Sequence, residues 1–247
     1  MSLVRAKKFI LNHDAYVEFP SEELATSFLP HAALIRSAGS NVAQIYRRCV
    51  QEEESIERCL IRQVHTINNP DPFLAWCMRA LFAAKFTEQH AKAENGNNSF
   101  SVQRLHVLTQ RFMVQCLLFA DQSIHSQLIG SANSLYIINQ DSWECGMAGA
   151  RAVMQVLVHM ARPNRLFFFP RIDEDTQWKI DLIILEVTGN GICCQVKGTK
   201  SIDGEIHITE LKEPPNDDYL SRFYYGTQQF NYRYGLSLQP VVFTVGW

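Results

Sequence analysis

Apolar positions follow two rhythms along this chain, and the change falls near residue 135. Before it the spacing is mostly helical. Ser21-Glu22-Glu23 reads as a helix start, and Val42, Ile45, Tyr46, Cys49, Ile56, Cys59 and Leu60 predict a helix from Asn41 to about Thr66. Pro70-Asp71-Pro72 interrupts the pattern, a further helix is expected from Phe73 to about Ala93, and another from Val102 to about Phe119 after the loop Asn95-Gly96-Asn97-Asn98-Ser99. Ahead of them all, Lys8–Leu11 and Ala15–Phe19 flank Asn12-His13-Asp14 and read as a hairpin.

After residue 135 short apolar runs alternate with turn signals. Trp143, Met147, Ala150, Met154 and Leu157 form one stripe, which predicts a helix from Trp143 to about Met160 with a single buried face. Strands are expected at Leu166–Phe169, Lys179–Leu185 and Ile192–Lys197, with a short one at Glu205–Ile208. Asp173-Glu174-Asp175 reads as a polar loop, Gly189-Asn190-Gly191 as a turn. A helix is expected from Tyr219 to about Tyr234, then a last strand at Val241–Val245. The pattern predicts an α+β chain in two parts: residues 1–135 mostly helical, and residues 136–247 running helix, three strands, helix, strand.

The two strands around Gly189 can be aligned by their own pattern. With an odd loop centred on Gly189, Asp181 faces Lys197, and one face carries Asp181, Ile183, Leu185, Cys193, Gln195 and Lys197. The other face carries Ile180, Leu182, Ile184, Ile192, Cys194 and Val196, with no charge. A two-residue turn would mix polar and apolar groups on both faces, so burial of one face favours the odd loop. An aspartate in an apolar strand is costly unless it is paired or bound to a cation. Asp181, Gln195 and Lys197 are therefore expected together at one edge of a sheet, as a cation site or as a simple strand-end ion pair.

This grouping resembles the PD-(D/E)XK superfamily of restriction, recombination and repair nucleases over residues 140–247, in element order as well as motif. Cys194-Gln195-Val196-Lys197-Gly198-Thr199 looks like its Q-V-K variant. The resemblance implies a restriction-endonuclease-like αβββαβ core with a central mixed sheet. It implies a Mg2+ (or Mn2+) ion held by Asp181, Glu144, the Gln195 side chain and the Val196 carbonyl, with Lys197 at the attacking water or the phosphate. Gln228 and Tyr232 resemble the Q-x-x-x-Y feature of RecB-like members. Two departures stand out: Gln195 takes the place of an acidic ligand, and Ile180, not proline, precedes Asp181. Each residue also has a plain alternative. Glu144 can simply favour a helix N-terminus. Gln228 and Tyr232 can be ordinary helix-surface residues, and Lys200, Lys212, Arg222 and Arg233 can be either phosphate contacts or solvated charges.

Composition narrows the functional classes. Lys plus Arg number 23 against 25 Asp plus Glu, so the chain lacks the strong basicity of many nucleic-acid binders. From residue 140 onward ten basic residues face thirteen acidic ones. A bound cation would reverse the sign locally, and affinity is expected to depend on a local groove, a homodimer or a protein partner. No apolar run reaches the ~18 residues that span a bilayer. Met1–Leu11 is broken by Arg5, Lys7 and Lys8, unlike a signal peptide. The seven cysteines include no C-x-x-C pair and read as reduced thiols of a cytoplasmic protein. The leading expectation is a metal-dependent nuclease acting on DNA in defence, mobile-element or repair chemistry. The alternatives are a nuclease fold that has lost catalysis and serves binding or assembly, and a helical interaction module in which the motif is accidental.

Overall fold

The computed structural model describes Val17 and residues 88–89, 91–93, 95–96, 99–119, 140–186, 188–199 and 204–246. The expected N-terminal hairpin (Val17 apart), the helix over 41–66, most of that over 73–93, and Lys200 lie outside these residues. The chain divides into two compact units, one of Met1–Val17 with Ala152–Trp247, the other of Glu18–Arg151.

In the Glu18–Arg151 unit, helix α1 spans Phe100–Phe119. Ser99 caps it: the Ser99 hydroxyl accepts from the Val102 N–H, and its carbonyl accepts from the Gln103 N–H. Val102, Leu105, Leu108, Phe112, Met113 and Leu117 are all buried. Fully buried Glu88 is held by Lys92 at 2.6 Å, one turn on, and by His106 at 2.9 Å. Helix α2 covers Gln140–Met160, starting three residues before the expected Trp143. Met147, Ala150, Met154 and Leu157 of its expected stripe are buried.

The Met1–Val17 and Ala152–Trp247 unit holds a mixed sheet. Its strands are β1 (Arg165–Phe168), β2 (Leu182–Glu186), β3 (Gly191–Thr199), β4 (Ile206–Glu210) and β5 (Gln239–Gly246), in spatial order β1-β2-β3-β5-β4. β1, β2 and β3 form an antiparallel meander; β5 runs parallel to β3, and β4 antiparallel to β5. Val17 donates its N–H to the Phe167 carbonyl. The return from β3 to β5 passes through β4 and helix α4 (Asp218–Tyr234), whose long connection is what a parallel pair requires. (A short helix α3, Ile172–Thr176, lies between β1 and β2.)

Local chemistry bounds α4 cleanly. The Asp217 carboxylate accepts from the Leu220 N–H at the start, and Gly235, at φ 63°, ends the helix in the left-handed region. The Asn231 side chain then brackets Leu238, donating to its carbonyl and accepting from its N–H, both at 2.8 Å, which steers the chain into β5. Phe223 and Phe230 carry α4 onto a core of Phe168, Ile183, Leu185, Cys193 and Val242. At Gly226 the helix comes so close to Trp178 that a Cβ would sit 2.5 Å from its carbonyl oxygen. Glycine costs about 1 kcal/mol in a helix relative to alanine, and here close approach requires it.

Candidate active site

The expected hairpin faces are present, with two corrections. The loop is odd, but Leu182 pairs with Cys194 and Ile184 with Ile192, so it centres on Thr188 rather than Gly189. Gly189, at φ 95°, takes the last loop position, where a positive φ is needed to lead into β3. Asp181 therefore comes alongside Gln195 instead of Lys197. The second correction concerns Ile180. It packs with Ile183, Leu185 and Cys193, not on the face of Leu182. The Asp181 N–H donates to the Cys194 carbonyl at 2.8 Å although Leu182 already opposes Cys194. Two residues thus share one partner, and the alternation of sides slips at the strand entry, as at a bulge.

That slip aims the Asp181 carboxylate across the end of the ladder. Its Oδ2 accepts from the Val196 N–H at 2.7 Å and from Gln195 Nε2 at 2.5 Å. β2 starts only at Leu182, so the carboxylate takes the N–H at which the β2–β3 ladder ends. Gln195 is 3% exposed, and its Oε1 is buried with no hydrogen-bond partner among the described residues. Lys197 lies two residues further along the same face of β3, its Nζ 5.6 Å from the centre of the Tyr219 ring. Lys179 sends its Nζ to within 5.5 Å of the same ring. Tyr219 belongs to the first turn of α4, so the helix N-terminal end, the entry to β2 and the far half of β3 meet here.

Burial, and next the charge of Asp175, raise the Asp181 carboxyl to about 8, against the opposing pull of the Val196 N–H, Lys179 and Gln195. Burial and then the carboxylates of Asp181 and Asp175 push the Tyr219 phenol up to about 12. Burial likewise drives the thiols of Cys193 and Cys194 well above their ordinary range, so both stay protonated. They are packing groups in the strand centre.

The remaining expected residues are distributed differently. Glu144 is exposed on α2 and belongs to the Glu18–Arg151 unit. Gln228 and Tyr232 are exposed on α4, Tyr232 at 90%. Arg233 donates from Nη1 to Asp173 at 2.8 Å and to Glu174 at 3.2 Å, with its guanidinium carbon 4.2 Å over the Trp178 ring. The expected polar loop Asp173-Glu174-Asp175 is helix α3, and Glu174 is fully buried. Burial is possible because the Glu174 carboxylate accepts from the Arg171 N–H, the Tyr234 hydroxyl and Arg233. Three residues at the site carried no functional expectation. Asp175 was grouped with a loop, and Tyr219 looked like a helix start. Lys179 reads in the sequence as the first residue of a strand, because its left-handed backbone has no signature in a strand-like run.

Among the described residues no group of three or more His, Cys, Asp or Glu is arranged to hold a metal ion. The oxygens that remain are the Asp181 carboxylate and the unpartnered Gln195 Oε1, together with the backbone carbonyls. A cavity of about 420 Å3 lies elsewhere, at the turn end of the hairpin, where Arg165 and Glu186 pair at 3.3 Å. Among the described residues no helix is long and apolar enough to cross a membrane. No protein-family model matches the chain, and no curated protein or solved structure does either.

Proposed function

We propose that this protein is a metal-dependent nuclease hydrolysing phosphodiester bonds in DNA, with a restriction-endonuclease-like core in residues 136–247. The reading is supported by a three-stranded antiparallel meander followed by a helix and a strand parallel to β3. The single observation that carries it is the Asp181 carboxylate held by Gln195 and the Val196 N–H, with Lys197 two residues further along β3 and over the Tyr219 ring.

The donor set fits a hard divalent ion. Mg2+ uses one or two carboxylates, keeps several waters and takes its other oxygens from substrate phosphates. Asp181 and Gln195 Oε1 would hold it, with the Val196 carbonyl as a further oxygen; the orphaned buried Oε1 is the observation in favour. Such an ion neutralises phosphate charge and lowers the pKa of a water. The protein's own groups do the positioning. Gln195 Nε2 and the Val196 N–H fix the carboxylate through one oxygen, leaving the other for a cation. The Lys197 ammonium provides a positive charge for the phosphate as its charge grows in the transition state. Because Asp181 holds its proton up to about pH 8 without a cation, proton and metal compete for it, and cleavage should strengthen with alkaline pH.

Purified protein with Mg2+ or Mn2+ should nick supercoiled DNA, and Asp181→Ala or Lys197→Ala should abolish nicking. Unchanged cleavage in both variants rejects the site. A second reading, a nuclease fold retained for binding or assembly, is favoured by neutral Gln195 at an acidic position. Calorimetric titration with Mn2+ separates the two: absence of binding heat together with retained DNA binding supports the second.

A further inference from the structure

We propose that Lys179 and Lys197 form a two-ammonium cradle for successive phosphates of one DNA strand, with Tyr219 as the positioning residue that holds both. The inference rests on the phosphodiester reading above and adds a binding residue, Lys179, to it.

The first support is geometric. Both Nζ atoms lie over one ring, at 5.5 and 5.6 Å from its centre, so they are no more than about 11 Å apart. Successive phosphates of a strand advance by about 3.4 Å along the duplex axis, so two neighbouring phosphates fit within that limit. A ring face attracts ammonium groups through its quadrupole and limits the freedom of two long side chains. That lowers the entropy lost when a phosphate is bound.

The second support is the backbone. Lys179 has φ 58°, and among the described residues it is the sole non-glycine residue with positive φ. The left-handed region costs a residue with a Cβ roughly 1–2 kcal/mol, and glycine or asparagine occupies it more cheaply. This turn joins α3 to Asp181 and leaves the lysine ammonium at the site. One of its three donors goes to the Thr176 carbonyl at 2.6 Å, and two remain. Tyr219 is 42% exposed, so a strand can reach the cradle from solvent. The buried Gln195 Oε1 without a partner is an independent sign that a ligand completes this corner.

The test is equilibrium binding of a fluorescent DNA duplex in chelator, followed as salt is raised, so that binding is read without cleavage. Lys179→Asn is the variant to use, because asparagine tolerates the left-handed turn. It should bind about three- to tenfold more weakly, with a salt slope smaller by roughly one phosphate contact. Tyr219→Ala should weaken binding at least as much, and Tyr219→Phe, which keeps the ring, should restore it. A duplex with one neutral methylphosphonate linkage, moved along the strand, should show a position that costs the wild type affinity and costs Lys179→Asn nothing further. Unchanged affinity and salt slope in Lys179→Asn, in a protein that still cuts DNA, overturns the cradle alone. A wild-type protein that neither binds nor cuts DNA overturns the nuclease reading and the cradle with it.

Discussion

Two carboxylates on either side of the α3–β2 turn, Glu174 buried and Asp181 half-buried, behave in opposite ways. Glu174 is fully enclosed and fully answered: a backbone N–H, a tyrosine hydroxyl and a guanidinium all converge on it. Asp181, seven residues later, receives only neutral donors on one oxygen, and the two nearby ammonium groups lean on a tyrosine ring. Its carboxyl is raised to about 8. The first arrangement locks α3 to the last turn of α4. The second is left short of positive charge at the first turn of the same helix. A carboxylate with every partner supplied stabilises a fold, whereas one raised out of its ordinary range in a half-buried corner is a candidate for function.

The contrast can be broken most severely at Glu174. Glu174→Ala leaves Arg233 to Asp173 but strands the Tyr234 hydroxyl and the Arg171 N–H, and should cost about 3 kcal/mol in urea unfolding while leaving cleavage per folded molecule intact. A loss below about 1 kcal/mol would mean that the cluster is not a structural lock. Next in size is Gly226→Ala. Helix propensity favours alanine, but the collision with Trp178 should reverse the sign and destabilise by about 2–3 kcal/mol. Thermal unfolding of the variant reads this directly.

The pH response sharpens the Asp181 side. In the unfolded chain its carboxyl ionises near pH 4, as aspartates do, and in the fold near 8. Between those values the folded chain holds the extra proton, so the contribution of this group to stability falls as pH rises from about 4 to about 8 and is level above. In chelator, Asp181→Asn keeps an acceptor for Gln195 and Val196 and removes the ionisation. It should be more stable than wild type at pH 8–9 and no more stable at pH 4. An equal difference at both pH values would contradict the raised carboxyl. The smallest effect belongs to Lys179→Asn, which should stabilise by about 0.5 kcal/mol through relief of the left-handed backbone even as it weakens DNA binding.

Much of the candidate site was legible in the residues. The β2–β3 faces follow from period-two alternation, because putting Asp181 and Lys197 with the apolar set would bury charge on both sides. The helix expected from Tyr219 to about Tyr234 is α4, Asp218–Tyr234. Other features were hidden. Asp173-Glu174-Asp175 has the composition of a solvated loop, and nothing local says that Arg233 and Tyr234, about 60 residues on, arrive to cover Glu174. The slip at Asp181 breaks the alternation on which the face assignment of Ile180 depended. Arg233 read as a possible phosphate contact because its positive charge was visible and its partners were not.

Sequence alone determined what short-range physics controls: the two long helices and the approximate places of the five strands from residue 140 onward, and the sharing of one strand face by Gln195 and Lys197. These depend on periodicity and on backbone preferences within a few residues. Tertiary structure alone decided which charges are satisfied. Whether a carboxylate is locked by a guanidinium and a hydroxyl, as at Glu174, or held through one oxygen by neutral donors, as at Asp181, depends on groups delivered from distant segments and on the water they exclude. No local pattern encodes that delivery, because burial and charge pairing are properties of the packed chain.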